Sequence, residues 1–421
     1  MIQLHGPLPV AQPIRMEAPA ISATSWLEID LGRLEHNVAT LKSRLAPDGR
    51  VAPKMCVAIK KDAYGLGAAP IAHRLVKAGC DMLAVFSADE ARELVKNAIT
   101  CPLLVLMPLS ELSRTDLLYR HAVAERLHLT IHSVEQLAAV NQIGRTFGIR
   151  FPVHLHLDTG MSRGGLSEAQ ADTILQNFGD HSHARLAGLM THFASAATDP
   201  GFTREQAGRL QALAERHKAA VPNDCVLHVA NTFALLREPA LHLDMVRPGL
   251  GVFGYGPELL PESDAAALPP LSPIVRWLSG IMHVQRYTAG SPIGYGATHQ
   301  LLEDAVLGVV PVGYGDGYPQ NLSNLASVRV TTETPKGAVT ADCRVLGRVN
   351  MDQITIDLSP LAVDASDLDF LKTAQVEVYS NDPSAPNSLS QLAASSGNSV
   401  YELLCRMSPQ LKRHYVNHRK A

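Results

Sequence analysis

The residues with the plainest chemistry gather in Cys56-Val-Ala-Ile-Lys-Lys-Asp-Ala-Tyr-Gly-Leu-Gly67, where an apolar run delivers Lys60 and then breaks into a turn marked by Gly65 and Gly67. Lysine is among the side chains least often fully buried. One placed where a strand meets a cavity either reaches out to water or has its pKa lowered for covalent chemistry with a carbonyl. Other apolar runs end in polar residues of complementary kinds. Residues 153–157 lead into Asp158-Thr-Gly-Met-Ser-Arg163, 186–192 close on Thr191 and His192, 226–229 lead into Ala230-Asn-Thr232, and 244–249 carry Arg247 ahead of Gly249. A nucleophile, hydroxyl and amide donors, and a cation are thus all set at run ends.

Such a set needs a scaffold that brings strand ends together. Apolar runs at 57–60, 82–86, 103–107, 127–131, 153–157, 186–192, 226–229 and 244–249 alternate with amphipathic stretches long enough for crossover helices. That alternation predicts parallel βα units, and the number of runs is the one that closes a (β/α)₈ barrel, whose active site lies at the strands' carboxyl ends. Phosphate sites in such barrels usually follow the seventh and eighth strands, where Asn231, Thr232 and the amides near Gly249 stand. After about residue 270 the helical segments give way to β-rich runs at 274–277, 281–286, 305–311, 327–332, 343–346, 353–358 and 375–379, then a helix over 388–395 and a segment at 401–404. The chain therefore divides into a flexible extension over 1–24, a barrel over 25–268, and a mainly antiparallel β-rich domain over 269–421. The strand at 26–31 precedes the barrel and is a candidate to pair with the late domain instead.

Composition narrows the function classes. Hydrophobic residues make up 46%, charged residues 18%, and the formal net charge is −3, as in a soluble globular protein with no call for nucleic acid. The basic cluster over 412–420 reads as a solvated tail. No apolar run reaches the length of a membrane span, the first residues lack a secretory pattern, and a cytoplasmic location is expected. The six cysteines form no Cys-x-x-Cys pair. His154 and His156 share one strand face but lack carboxylates to complete a metal site, so no metal is expected. Lys61 reads as the solvated neighbour of Lys60 and Asp62 as a turn contact. Asp158 and Asp316 are either acids or loop braces.

An aromatic aldehyde accounts for the set at the barrel mouth. Lys60 can bond to the aldehyde carbon of pyridoxal 5'-phosphate, whose ring draws electrons from a substrate α-carbon. Tyr64, Thr232 and the glycines of the eighth run offer donors to the phosphate, and Arg247 is the candidate partner of the ring nitrogen. A carboxylate there would keep that nitrogen protonated, whereas arginine does not surrender its proton at ordinary pH. The weaker electron sink favours brief deprotonation and reprotonation at one carbon over transamination. Racemisation has that requirement.

Several stretches, in order, carry a family resemblance: Ile59-Lys-Lys-Asp-Ala-Tyr-Gly-Leu-Gly67, Leu157-Asp-Thr-Gly-Met-Ser-Arg163, Thr191-His-Phe193, His228-Val-Ala-Asn-Thr232, Met245-Val-Arg-Pro-Gly249, Ile293-Gly-Tyr-Gly-Ala-Thr298, Val312-Gly-Tyr-Gly-Asp-Gly317 and Gly347-Arg-Val-Asn-Met-Asp352. The chain resembles the alanine racemases, two-domain pyridoxal-phosphate enzymes with a barrel and a β-domain. The resemblance runs from about Trp26 to about Val416. It implies Lys60 as the Schiff-base lysine and the base on one face of the α-carbon, and Tyr295 as the opposite base, contributed across a homodimer interface. A phenol of ordinary pKa near 10 is a poor base, and the resemblance implies that His192 links it to Arg247. Tyr64, Thr232, Gly249 and Tyr401 match phosphate contacts, and Arg163 matches the arginine near the cofactor's phenolic oxygen. Met351 matches a backbone contact to the substrate carboxylate, while Tyr295, Tyr314 and Tyr401 crowd the way in and favour a small side chain.

One position departs from the pattern. Many family members carry a carbamylated lysine two residues before the aspartate of the Asp-Thr-Gly motif, and His156 stands there. A neutral imidazole lacks the carbamate's charge, so Arg163 is positioned by a bound anion or water, or by His156 itself. The sequence leaves open a racemase of broader amino-acid range and, in another class, a pyridoxal-phosphate carrier without turnover. A decarboxylase of the same plan would call for a carboxylate in place of Arg247.

Overall fold

The computed structural model describes residues 24–45, 51–109, 111–335, 337–362 and 368–418. The extension expected over 1–24 lies outside these apart from Thr24. The chain opens with β1 (Ser25–Asp30), and eight parallel strands follow: β2 (Lys54–Ala58), β3 (Met82–Val85), β4 (Leu103–Val105), β5 (Leu127–Ile131), β6 (Phe151–His156), β7 (Ala184–Met190), β8 (Val226–His228) and β9 (Met245–Val246). Their order is β8-β7-β6-β5-β4-β3-β2-β9. Between β8 and β9 the ring is drawn together by Asp244 N–H donating to Leu227 O (3.1 Å) and Arg247 N–H to Ala230 O (2.7 Å). All eight expected runs are barrel strands. β3 is buried at every position because helices cover its outer face and the packed barrel interior its inner one.

The second sheet is mainly antiparallel. It is built from β1, β10 (Val275–Ser279), β11 (His283–Tyr287), β14 (Ala305–Val310), β15 (Ser327–Thr334), β16 (Gly337–Leu346), β17 (Ile354–Asp357), β18 (Gln375–Tyr379) and β19 (Lys412–Val416), in the order β11-β14-β17-β16-β15-β18-β10-β1-β19. A separate pair, β12 (Pro292–Ile293) with β13 (His299–Gln300), brackets Tyr295. β1 runs antiparallel to β10 and parallel to β19, then turns at once into the barrel's first helix, Leu31–Ser43, capped by the Asp30 carboxylate. The two units are sutured there. Asn37 donates to Val252 O and Ser272 O and accepts from Ser272 N–H, and Arg33 donates to Pro273 O and Asn381 O.

One expectation is corrected. Residues 412–416 are not a solvated tail but β19, and the basic texture hid them because charged residues are common on edge strands. The strand also reaches the Lys60 segment: Arg413 Nε donates to Gly65 O (2.8 Å), and the Tyr415 hydroxyl donates to Leu66 O (3.0 Å). Gly67, at φ +93°, makes room for that hydroxyl, since a Cβ there would lie 1.9 Å from it. We expect Gly67→Ala to lower stability by about 2–3 kcal/mol, read as a shift in the urea midpoint. Tyr415→Phe in the same background should recover part of the loss; no recovery would show that backbone strain alone is responsible.

Candidate active site

Lys60 stands one residue beyond β2, after Ile59, and the backbone that follows it is unusual. Lys61, Asp62, Ala63 and Tyr64 all lie in the left-handed region, with φ of 54°, 54°, 52° and 59°. Left-handed helical geometry costs L-residues about 1–2 kcal/mol each, so this turn persists only because its surroundings hold it. The Asp62 carboxylate accepts from Ala68 N–H (2.6 Å), and Glu90 accepts from Lys61 N–H (2.9 Å) and Phe86 N–H (2.6 Å). Lys61 is exposed, with its ammonium over the Phe86 ring. The turn sends Tyr64 back into the protein. Lys60 is left half-buried, and burial and then the nearby Arg163 cation hold its pKa below the ordinary lysine value.

Tyr64 is 5% exposed and packs edge-on against Phe253 and obliquely on Tyr401, with ring centroids 5.0 and 5.8 Å away. Burial raises both phenols, Tyr401 to about 12, so both stay protonated as donors. A Cβ on Gly249 would meet the Tyr64 hydroxyl at 2.4 Å. The fully enclosed Thr232 hydroxyl accepts from Gly249 N–H and Gly251 N–H, each at 3.1 Å. With both lone pairs engaged, its own proton remains to be donated. Asn231 caps the helix Thr232–Arg237 by accepting from Ala234 N–H. Gly249 thus serves by its missing side chain and Asn231 by shaping the loop. Three hydroxyls around a close-packed backbone suit a phosphate.

Arg247, 7% exposed, is the centre of the barrel mouth. Its Nη1 donates to His228 Nδ1 (2.8 Å) and His228 O (2.6 Å), and its Nη2 to Thr191 O (2.7 Å). No carboxylate is among these acceptors, and burial lowers the guanidinium to about 10, still charged at neutral pH. His192 lies close enough to feel Arg247, Arg163 and Lys60, and with burial these hold it down to about 3. The imidazole that accepts a hydrogen bond from Arg247, however, is that of His228. That histidine was visible in its motif, but its role was not.

The residue at the carbamate position also acquires a defined state. His132 Nε2 faces Leu106 O at 2.8 Å and so carries hydrogen; in the neutral ring its Nδ1 is then the acceptor for His156 Nδ1–H at 3.0 Å. His156 therefore presents Nε2 as a lone pair, and burial holds the ring down to about 3, so it stays neutral. Arg163 is exposed. Asp158 accepts from Gly160, Met161 and Ser162 N–H groups, and Asp316 from Gly313 N–H, so both brace loops. Among the described residues, no group of three or more His, Cys, Asp or Glu side chains is arranged to hold a metal ion.

The remaining expected residues stand apart. Tyr295, 72% exposed, and Tyr314 and Met351, also exposed, sit instead on loops of the second sheet. There Tyr314 N–H donates to Asn350 O and Gly315 N–H to Met351 O. Asn324 ties the Thr298 hydroxyl to Gly347 N–H, which joins these loops into one edge.

A (β/α)₈ barrel with a lysine and a phosphate-type cradle at its mouth, joined to an antiparallel sheet, defines a class of two-domain enzymes. Models of the alanine racemase N-terminal domain and C-terminal domain match residues 29–257 and 274–415. An alanine racemase of Symbiobacterium thermophilum is 32% identical over 93% of this chain and 97% of its own. The alanine racemase of Clostridium difficile 630 superposes with a TM-score of 0.78 at 28% identity, over 95% of this chain and 97% of that one. That of Bartonella henselae, 22% identical over 94% of this chain and 100% of its own, shares the fold at a TM-score of 0.72, and that protein was determined with covalently bound pyridoxal phosphate. The chain belongs to the alanine racemase family, isomerases acting on amino acids.

The buried histidines generate a pH prediction. Folding holds His128 down to about 4 and His156 and His192 to about 3, all chiefly by burial. Unfolded histidines take up protons near pH 6.5, so below that the unfolded state binds more protons. Stability should be intact above about pH 6.5 and fall steadily toward about pH 4. Urea midpoints measured across that window check it, and a flat profile would contradict it.

Proposed function

We propose that this chain interconverts L-alanine and D-alanine with pyridoxal phosphate, as a homodimer whose site is completed by the partner subunit. The observation that carries the reading is Arg247, a buried cation held by carbonyl oxygens and an imidazole, with no carboxylate. Lys60 would hold the cofactor's aldehyde carbon, Tyr64, Tyr401 and Thr232 its phosphate, Arg247 its ring nitrogen and Arg163 its phenolic oxygen. The bound cofactor supplies an electron sink for the α-carbon. Arg247 keeps its proton, which limits that sink and favours return of a proton to the same carbon.

The proton steps belong to two side chains. Lys60 Nζ, unprotonated, takes the α-hydrogen of one enantiomer as a proton, and the hydroxyl of Tyr295 of the partner subunit delivers its own to the opposite face; the reverse direction exchanges the roles. Lys60 is suited to this because burial disfavours its charged form. Tyr295 is suited because its exposed position on a loop edge, with Tyr314, Met351, Leu302 and Leu325 also exposed on that domain, is one that association would cover. Tyr314 and Met351 would then bound the substrate pocket with Arg163 and admit a small side chain. A soluble cytoplasmic enzyme supplying D-alanine for peptidoglycan, or degrading alanine, fits this activity.

The test is α-hydrogen exchange in deuterated water with L-alanine, L-serine, L-lysine and L-arginine supplied separately. Exchange with matching loss of optical rotation for alanine, and weakly for serine, is the expected result. Comparable rates with lysine or arginine would move the enzyme to a broad-range racemase, and no exchange at all would overturn the reading. Tyr295→Phe should remove exchange from one enantiomer, by at least about a hundredfold, while the bound cofactor keeps its visible absorbance.

A further inference from the structure

Arg247 is the first member of a longer chain. His228 Nε2 lies 2.8 Å from His154 Nδ1, and His154 Nε2 lies 2.8 Å from His128 Nδ1. The three rings pack with centroids 5.0 and 5.1 Å apart. His154 and His228 are fully buried, while His128, second residue of β5, is half-buried. The line thus runs from the strands' carboxyl ends down through the barrel to the end where Lys54 and Arg185 act on His128.

Its direction is fixed by elementary chemistry. A guanidinium only donates, so His228 Nδ1 must accept and His228 Nε2 must carry hydrogen. His154 Nδ1 then accepts and its Nε2 donates, which leaves His128 Nδ1 as the last acceptor. Reversal of any one ring sets two N–H groups or two lone pairs face to face, and a charged ring has no acceptor to offer. Burial and neighbouring cations hold all three neutral. The path also has a made opening. Gly188 of β7 lies between, and a Cβ there would fall 2.2 Å from His154 Nδ1 and 3.0 Å from His228 Nε2. The β6–β7 register shifts at Val153 and His154.

We propose that His228, His154 and His128 form a one-way hydrogen-bond relay, ordered from Arg247, that fixes the orientation of this guanidinium, making His154 and His128 positioning residues for the reaction. The effect on turnover rests on the function proposed above; the relay itself does not. Loss of the terminal acceptor leaves the His154 Nε2–H unpaired in the interior, and the only rearrangement that pairs it reverses the rings and sets an N–H against Arg247.

The experiment has two readouts. Nitrogen-15 spectra of histidine-labelled protein at about pH 7 should show His228, His154 and His128 all as neutral Nε2–H tautomers. In the cofactor-loaded enzyme, His128→Leu should lower kcat about tenfold with KM for alanine changed less than about twofold. His128→Asn, whose side-chain oxygen can occupy the acceptor position, should restore most of it, and Gly188→Ala should disturb the His154 and His228 signals together. An Nδ1–H tautomer or an imidazolium at any of the three, or an unchanged kcat in His128→Leu, would overturn the proposal. Inactivity of the unaltered enzyme would instead count against the proposed function, and the nitrogen signals would still decide the relay.

Discussion

A buried guanidinium without a carboxylate is the constraint on which the site depends. Burying a charge is unfavourable unless hydrogen bonds replace its lost water, and Arg247 is supplied with two close carbonyl oxygens and one imidazole lone pair. These acceptors come from the ends of β7 and β8, so the charge is stabilised only when the barrel has closed on itself. The same acceptors leave the guanidinium's charge unneutralised. A carboxylate in their place would neutralise the cation as well as pair its donors.

The second constraint is mechanical. Four successive left-handed residues after Lys60 are unfavourable in any isolated peptide, and groups from both domains hold the segment: Glu90 from the barrel side binds Lys61, and Arg413 and Tyr415 from β19 bind Gly65 and Leu66 just beyond the turn. The late sheet is therefore not an appendage to the barrel. By pairing β19 with β1 it brings the chain's last described strand against the turn that aims Tyr64 and orders Lys60.

Much of this was legible in the sequence, for identifiable reasons. The eight strands could be read because parallel strands buried on both faces are short continuous apolar runs, and Lys60, Thr232 and Arg247 could be read because each stands at or near the carboxyl end of such a run. β19 could not, since an edge strand that carries basic side chains has the composition of a tail. The left-handed turn could not either: only its glycines announce a positive φ, and Lys61 to Tyr64 adopt it through tertiary contacts. The histidine line was the largest omission. His154 and His156 share a face by alternation, yet His154 joins His128 and His228 while His156 joins His132. These pairings depend on strand neighbours and register, which no single stretch of sequence encodes.

The most direct test of the central claim is the partition of product in Arg247→Glu, loaded with cofactor and supplied with L-alanine. If the uncompensated guanidinium restrains the electron sink, racemisation should slow at least about tenfold, and up to one equivalent of pyruvate per site should form as the amino group passes to the cofactor. An unchanged racemisation rate with no pyruvate, in a variant shown to be folded, would contradict the account.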